Sequence, residues 1–272
     1  MSLGENVAAN LPYLRRYARA LTGAQSTGDA FVRQTLEAAL ADEALKAELS
    51  GGRVALYRAF NKVWSATSID SSQANAGDDL ATDAGAEGHE ATARQRLSAI
   101  TPLNRQALLL TTLEDFSIEE AAQVMDLPET EVETMVQEAV AEIDRESSTN
   151  VLIIEDEPLI SMQLEDLVRG LGHDIFGTAA TRTQAQDLVA ENTPGLVLAD
   201  IQLADGSSGL DAVDDILAIA EVPVIFITAY PERLLTGDRP EPTYLVTKPF
   251  QEATVRAAIS QALFFNSSQP LD

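Results

Sequence analysis

Hydrophobic positions follow two different rhythms along this chain. Up to about Asp144 they recur at helical spacing between polar joints, as in the stripe Leu11, Leu14, Tyr17, Ala18 and Leu21. Phe31, Leu36 and Leu40, then Leu45 and Leu49, then Val54, Leu56, Tyr57, Phe60 and Trp64 supply further helical faces, and together they predict a small bundle. From Asn150 onward, short apolar runs alternate with amphipathic stretches. The runs at 151–154, 195–199, 222–227 and 244–246 are rich in branched residues and flanked by turn formers, as buried parallel strands are, and 173–177 adds a weaker fifth. Residues 158–171, 183–191, 210–220 and 252–264 between and after them carry helical periodicity. Such alternation predicts a doubly wound α/β sheet of the flavodoxin-like kind behind an all-α N-terminal module.

The helical half divides again. Residues 65–93 are Ser, Asp, Gly, Ala and Thr with little apolar content, which predicts an acidic flexible linker. Beyond it, Thr101 is placed to N-cap a helix with Pro102 at its first position and an apolar run to Leu113. Ser117-Ile118-Glu119-Glu120 has the form of a capping box, and that helix should end near Met125-Asp126-Leu127-Pro128. Val132, Met135, Val136, Val140 and Ile143 line the next one, so the pair spells a helix-turn-helix. The expected organisation is a helical domain at 1–64, the linker at 65–93, a helix-turn-helix domain at 94–146, a short joint at 147–150 and the α/β domain at 151–266.

Composition narrows the function. The chain has 272 residues, 18 basic and 43 acidic, for a net charge of −25. A surface that neutralises a phosphate backbone must be basic, so a general nucleic-acid binder is excluded and a basic partner is favoured. There is no Cys and only His89 and His173 supply imidazole, which removes disulfide and thiolate chemistry and leaves little for zinc. The start Met1–Glu5 lacks a basic segment and no apolar run approaches ~18 residues, so a cytoplasmic protein without membrane spans is expected.

In a parallel sheet the ligand site lies at the carboxyl ends of the strands. Glu155 and Asp156 follow the first predicted strand, Asp200 the third, Thr228 the fourth and Lys248 the fifth. Three carboxylates on one rim repel, and a hard cation with oxygen ligands, here Mg²⁺, is the natural remedy. Asp200 can then attack a phosphoryl group, with Thr228 bonding one phosphoryl oxygen and the Lys248 ammonium pairing with another. Lys248 is the only lysine after residue 62. A haloacid-dehalogenase-like phosphatase would want a second carboxylate two residues after Asp200, where Gln202 stands.

With Asp200-Ile201-Gln202-Leu203, Asp205-Gly206-Ser207-Ser208-Gly209, Thr228-Ala229 and Lys248-Pro249-Phe250, this half resembles the response-regulator receiver domain. The resemblance implies that Asp200 is the phosphoacceptor, that a sensor histidine kinase is the phosphodonor, and that Thr228 and Lys248 assist. It also implies that Glu155, Asp156, Asp200 and the main-chain carbonyl of Gln202 hold Mg²⁺, and that the Lys248-Pro249 bond is cis. Many receivers carry a switch aromatic three residues before the lysine; here that residue is Leu245, with Tyr230 and Tyr244 nearby.

The first half is similar to the two helical domains of extracytoplasmic-function sigma factors, region two around Ser26–Leu36 and region four around Leu103–Leu110 and Phe116–Pro128. Its DNA-binding chemistry is gone: from Phe116 through Asp144 there are nine acidic residues and no Lys or Arg, and none between Lys62 and Arg94. A sigma-like module ahead of a receiver is the arrangement of the PhyR family, the phosphorylation-controlled anti-anti-sigma factors of the bacterial general stress response. That resemblance implies that phosphorylation releases the sigma-like module to sequester a NepR-like anti-sigma factor, freeing a stress sigma factor. It implies no DNA partner, no membrane and no turnover of an independent substrate. A phosphorylation-dependent promoter-binding regulator is the alternative, and a module that only dimerises or docks a kinase is a third.

Overall fold

The computed structural model describes residues 3–76, 101–143, 147–203, 206–231, 234–235 and 242–267. These fall into two compact units that divide at Val136 and Gln137, inside a helix.

The first unit begins with helices α1 (Leu3–Thr22), α2 (Gln25–Ala41) and a short α3 (Glu43–Glu48) that tightens into a 3-10 turn at Leu49–Gly51. Next come α4 (Arg53–Ala76), α5 (Leu103–Thr112), α6 (Ile118–Met125) and α7 (Glu129–Ile143), which carries the chain across the division. Leu14, Tyr17 and Leu21 of α1 and Leu56, Tyr57, Phe60 and Trp64 of α4 are buried, as the apolar stripes predict. On α2 the buried face differs from the expected one: Gly28, Val32, Thr35 and Ala39 are inside while Leu40 is 77% exposed. Gly28 explains this, because any Cβ there would overlap the α1 backbone at Ala18 and Arg19. The two helices therefore meet along small residues. Asp29, next in sequence, receives both arms of Arg15 (3.2 and 2.9 Å) and of Arg19 (2.9 and 2.8 Å).

Two expectations need correction. Helix α4 does not stop at Trp64 but continues through Ala76, because nothing between 53 and 76 is Gly or Pro and propagation is cheap once a helix is nucleated. The remainder of the expected linker, 77–93, lies outside the described residues. Thr101 does not cap α5; its hydroxyl donates to the Leu21 carbonyl (2.6 Å), and Pro102 stands at the helix boundary instead. The Ser117–Glu120 capping box is present in both directions, at 3.1 and 2.9 Å.

The second unit contains β1 (Asn150–Ile154), α8 (Pro158–Gly170), β2 (Asp174–Ala179), α9 (Arg182–Val189) and β3 (Leu196–Ala199). It continues with α10 (Gly209–Leu217), β4 (Val224–Thr228), β5 (Tyr244–Thr247) and α11 (Glu252–Ser267). The strands form one parallel sheet in the order β2-β1-β3-β4-β5, the doubly wound, flavodoxin-like arrangement. β1 and β3 are buried along almost their whole length, which is why they read as unbroken apolar runs.

Candidate functional site

The parallel hydrogen bonding runs one step past several strands, and that step carries the chemistry. The Glu155 amide donates to Ala179 at the end of β2 (2.9 Å), the Asp200 amide to Ile154 at the end of β1 (2.8 Å), and the Lys248 amide to Thr228 at the end of β4 (2.8 Å). Each functional side chain thus leaves a backbone pinned to its neighbour. At Gly209 an added Cβ would overlap the Asp200 carbonyl, so the segment after β3 can fold back onto the strand end only with glycine there.

These backbones place the five sequence-predicted side chains along the strand-end rim, and the sixth predicted group is the main-chain carbonyl of Gln202. Lys248 Nζ donates to Glu155 Oε2 and to Asp200 Oδ2, both at 2.7 Å. Asp200 Oδ1 accepts from the amides of Ile201 (2.6 Å) and Gln202 (3.3 Å), so one carboxylate oxygen is held by backbone and the other by the ammonium. Oxygens of Glu155, Asp156 and Asp200 lie within 4.8 Å of one another. Thr228, fully buried at the end of β4, accepts from the Tyr230 amide (3.1 Å). Gln202 is exposed at its side chain, and its main chain bridges to Ser208. The Lys248-Pro249 peptide is cis, as the resemblance implies. Asp205 lies outside the described residues.

Burial pushes the Glu155 carboxyl above its ordinary pKa, and the hydrogen bond and charge of Lys248 offset only part of that. For Lys248 burial acts to lower the pKa, but the hydrogen bonds and charges of Asp200 and Glu155 outweigh it and hold the ammonium above its ordinary value. One cation therefore serves two carboxylates, with Asp156 beside them half-exposed. An all-oxygen, net-negative donor set of this kind fits a hard divalent cation. The sequence did not reveal the backbone anchors, the amides of Ile201 and Gln202 on Asp200 and that of Glu157 on Glu155 (3.3 Å). Main-chain donors leave no compositional trace; Gly209 was the one available hint.

The family model described as the sigma2 domain of PhyR matches residues 7–61. The sigma-like domain of the response regulator PhyR matches 97–146, and the receiver domain matches 151–260. The phyllosphere-induced regulator PhyR of Methylorubrum extorquens is 52% identical over 269 residues, covering 98% of this chain and 97% of its own length. This chain belongs to the PhyR family. Two solved PhyR structures support the same assignment. That of Brucella abortus is 46% identical with a TM-score of 0.82, covering 98% of this chain and 96% of its own. The anti-anti-sigma factor PhyR of Bartonella quintana is 45% identical with a TM-score of 0.82, covering 98% and 97%. The chain is accordingly a response regulator whose receiver match lies within the second unit, while the sigma-like match runs past Val136 to residue 146. Among the described residues no helix is long and apolar enough to cross a membrane.

Proposed function

We propose that phosphorylation of Asp200 switches this chain into a form whose sigma-like part captures a basic, NepR-like anti-sigma factor and thereby releases a stress sigma factor. The observation that carries the reading is Asp200 itself, a nucleophile-bearing carboxylate at a strand end with one oxygen on two backbone amides and the other on Lys248. A histidine-bound phosphoryl group from a sensor kinase is the donor. The Asp200 oxygen forms the new P–O bond, the P–N bond breaks, and its electron pair returns to the imidazole nitrogen. Lys248 then exchanges its contact with the Asp200 oxygen for one with a phosphoryl oxygen. Thr228, whose oxygen already accepts from the Tyr230 amide, turns its proton to a second. Glu155, Asp156, Asp200 and the Gln202 main-chain carbonyl would hold Mg²⁺, which supplies charge neutralisation at the rim. The protein accepts and holds one phosphoryl group and turns over no separate substrate.

The surface chemistry favours a protein partner over DNA. Every charged residue from Phe116 through Asp144 is acidic, so this helix-turn-helix repels phosphates and attracts a basic protein. A near-complete population reversal requires about 5 kcal/mol of difference between the two states, which phosphorylation and partner binding supply jointly. The test is binding of full-length protein to a NepR-like anti-sigma factor with Mg²⁺, with and without a small phosphodonor. Phosphorylation should tighten binding strongly in the parent and not at all in Asp200→Ala. Salt-sensitive binding of promoter DNA with no capture of the anti-sigma factor would replace this reading with that of a transcription regulator.

A further inference from the structure

One buried charge cluster lies outside the receiver chemistry. Glu114, in the bend between α5 and α6, has a side chain with no solvent exposure. Its carboxylate accepts from Arg16 of α1 (3.0 Å), Arg53 of α4 (2.8 Å) and the Tyr57 hydroxyl of α4 (2.7 Å). The same arginines reach the adjoining backbone, Arg16 donating to the Leu113 carbonyl and Arg53 to that of Glu114, both at 2.7 Å. Arg53 also lies 4.4 Å above the Phe116 ring, which packs edge-on against Tyr57 at 5.0 Å.

Every one of these contacts crosses from the segment matching the sigma2 domain to the segment matching the sigma-like domain. So do the bonds from Thr101 to Leu21 (2.6 Å) and from Asn61 to Val124 (3.4 Å). The cores of segments this short are small, so each half gains by burying surface against the other. The charges say the same: parting the halves strips two guanidiniums, a hydroxyl and two carbonyls of partners that are already desolvated.

We infer that Glu114 is a clasp that makes the two sigma-like halves one body, and that capture of the basic partner depends on that clasp. The partner clause rests on the function proposed above; the clasp itself does not.

The chain has no cysteine, so Cys introduced for Arg58 and Asp126 gives a single pair for a short bis-maleimide. Those two side chains form an exposed ion pair of 2.9 Å across the same junction. In phosphorylated full-length protein, the cross-linked pair should capture a NepR-like protein within about threefold of the uncross-linked one. Glu114→Gln should weaken capture about tenfold or more, and the cross-link should restore it. Loss of capture on cross-linking, parent-like capture by Glu114→Gln, or a defect the cross-link does not repair each overturns the inference. Amide exchange on the same variants needs no partner: Glu114→Gln should speed exchange in α5 and α6 and leave the receiver strands unchanged. Unaltered exchange overturns the clasp. Absence of capture by the phosphorylated parent strikes the proposed function, and the clasp is then decided by exchange alone.

Discussion

In the receiver one ammonium, Lys248, serves two carboxylates, Glu155 and Asp200; in the sigma-like unit two guanidiniums, Arg16 and Arg53, serve one carboxylate, Glu114. Both clusters are largely buried and built from similar bonds of about the same length. What separates them is balance. The rim around Asp200 is short of positive charge and lies at the ends of the strands, with three carboxylates whose oxygens sit within 4.8 Å of one another. The Glu114 site is saturated, with even the Tyr57 hydroxyl pushed well above its ordinary pKa, first by burial and then by the Glu114 charge, so that it remains a donor. A cluster that lacks a partner is poised for a reaction, and one that lacks nothing holds the fold.

Removing the carboxylate from each cluster is the sharpest way to break that contrast. Asp200→Ala should reduce phosphoryl labelling by a kinase or small phosphodonor to background, the largest effect expected anywhere in the chain. Its stability should stay level or rise slightly, because Lys248 keeps Glu155 and the like-charge repulsion is gone. Glu114→Ala should do the opposite, leaving labelling at Asp200 intact while costing about 3–5 kcal/mol in urea unfolding, the usual penalty for stranding a buried charge. If Asp200→Ala is the more destabilising of the two, charge balance is the wrong criterion.

The candidate residues of the receiver rim were legible in the sequence because they sit directly at the ends of apolar runs. Glu155, Asp200 and Lys248 each follow a strand directly, and the parallel sheet does the rest. Glu114 was not legible. It stands in Leu113-Glu114-Asp115-Phe116 after a helix, where a carboxylate reads as a solvated loop charge, and its partners are nearly a hundred and about sixty positions away in sequence. The buried face of α2 was misread in part for a related reason: Phe31 does pack on Trp64, but Leu36 and Leu40 drew attention from Gly28, whose lack of a Cβ decides how closely α2 approaches α1. Hydrophobic pattern shows which elements bury a face; it is silent about a partner supplied by charge or by close approach.

A smaller test uses the second saturated carboxylate. Burial works to raise the Asp29 pKa, but the hydrogen bonds and charges of Arg15 and Arg19 outweigh it and hold the group below its ordinary value of 3.8. A carboxyl whose folded pKa is depressed contributes stability that is complete above the unfolded pKa and is lost as pH falls through the folded one. Asp29→Asn should therefore be less stable than the parent near pH 6, by on the order of 1 kcal/mol after allowance for its partial exposure. The gap should close on acidification below about pH 4, and urea midpoints across that range read it directly. A gap that persists unchanged to pH 2 would show that the asparagine costs packing rather than charge.

The smallest effect belongs to the pair that crosses the same junction as Glu114 but lies in water. Arg58 and Asp126 approach to 2.9 Å with side chains 42% and 76% exposed. Solvent screens such a pair and its ordering costs side-chain entropy, so Arg58→Ala should change stability by no more than about 0.5 kcal/mol. Asp126 has its own reason to be where it is, since it closes α6 in the left-handed conformation, with φ at 57°, which short polar residues tolerate. The comparison is exacting because geometry is nearly constant: Arg53–Glu114 and Arg58–Asp126 join the same two segments at 2.8 and 2.9 Å. If the exposed pair proved as costly to remove as the buried one, distance rather than desolvation would govern both, and the saturated cluster would lose its claim to hold the halves together.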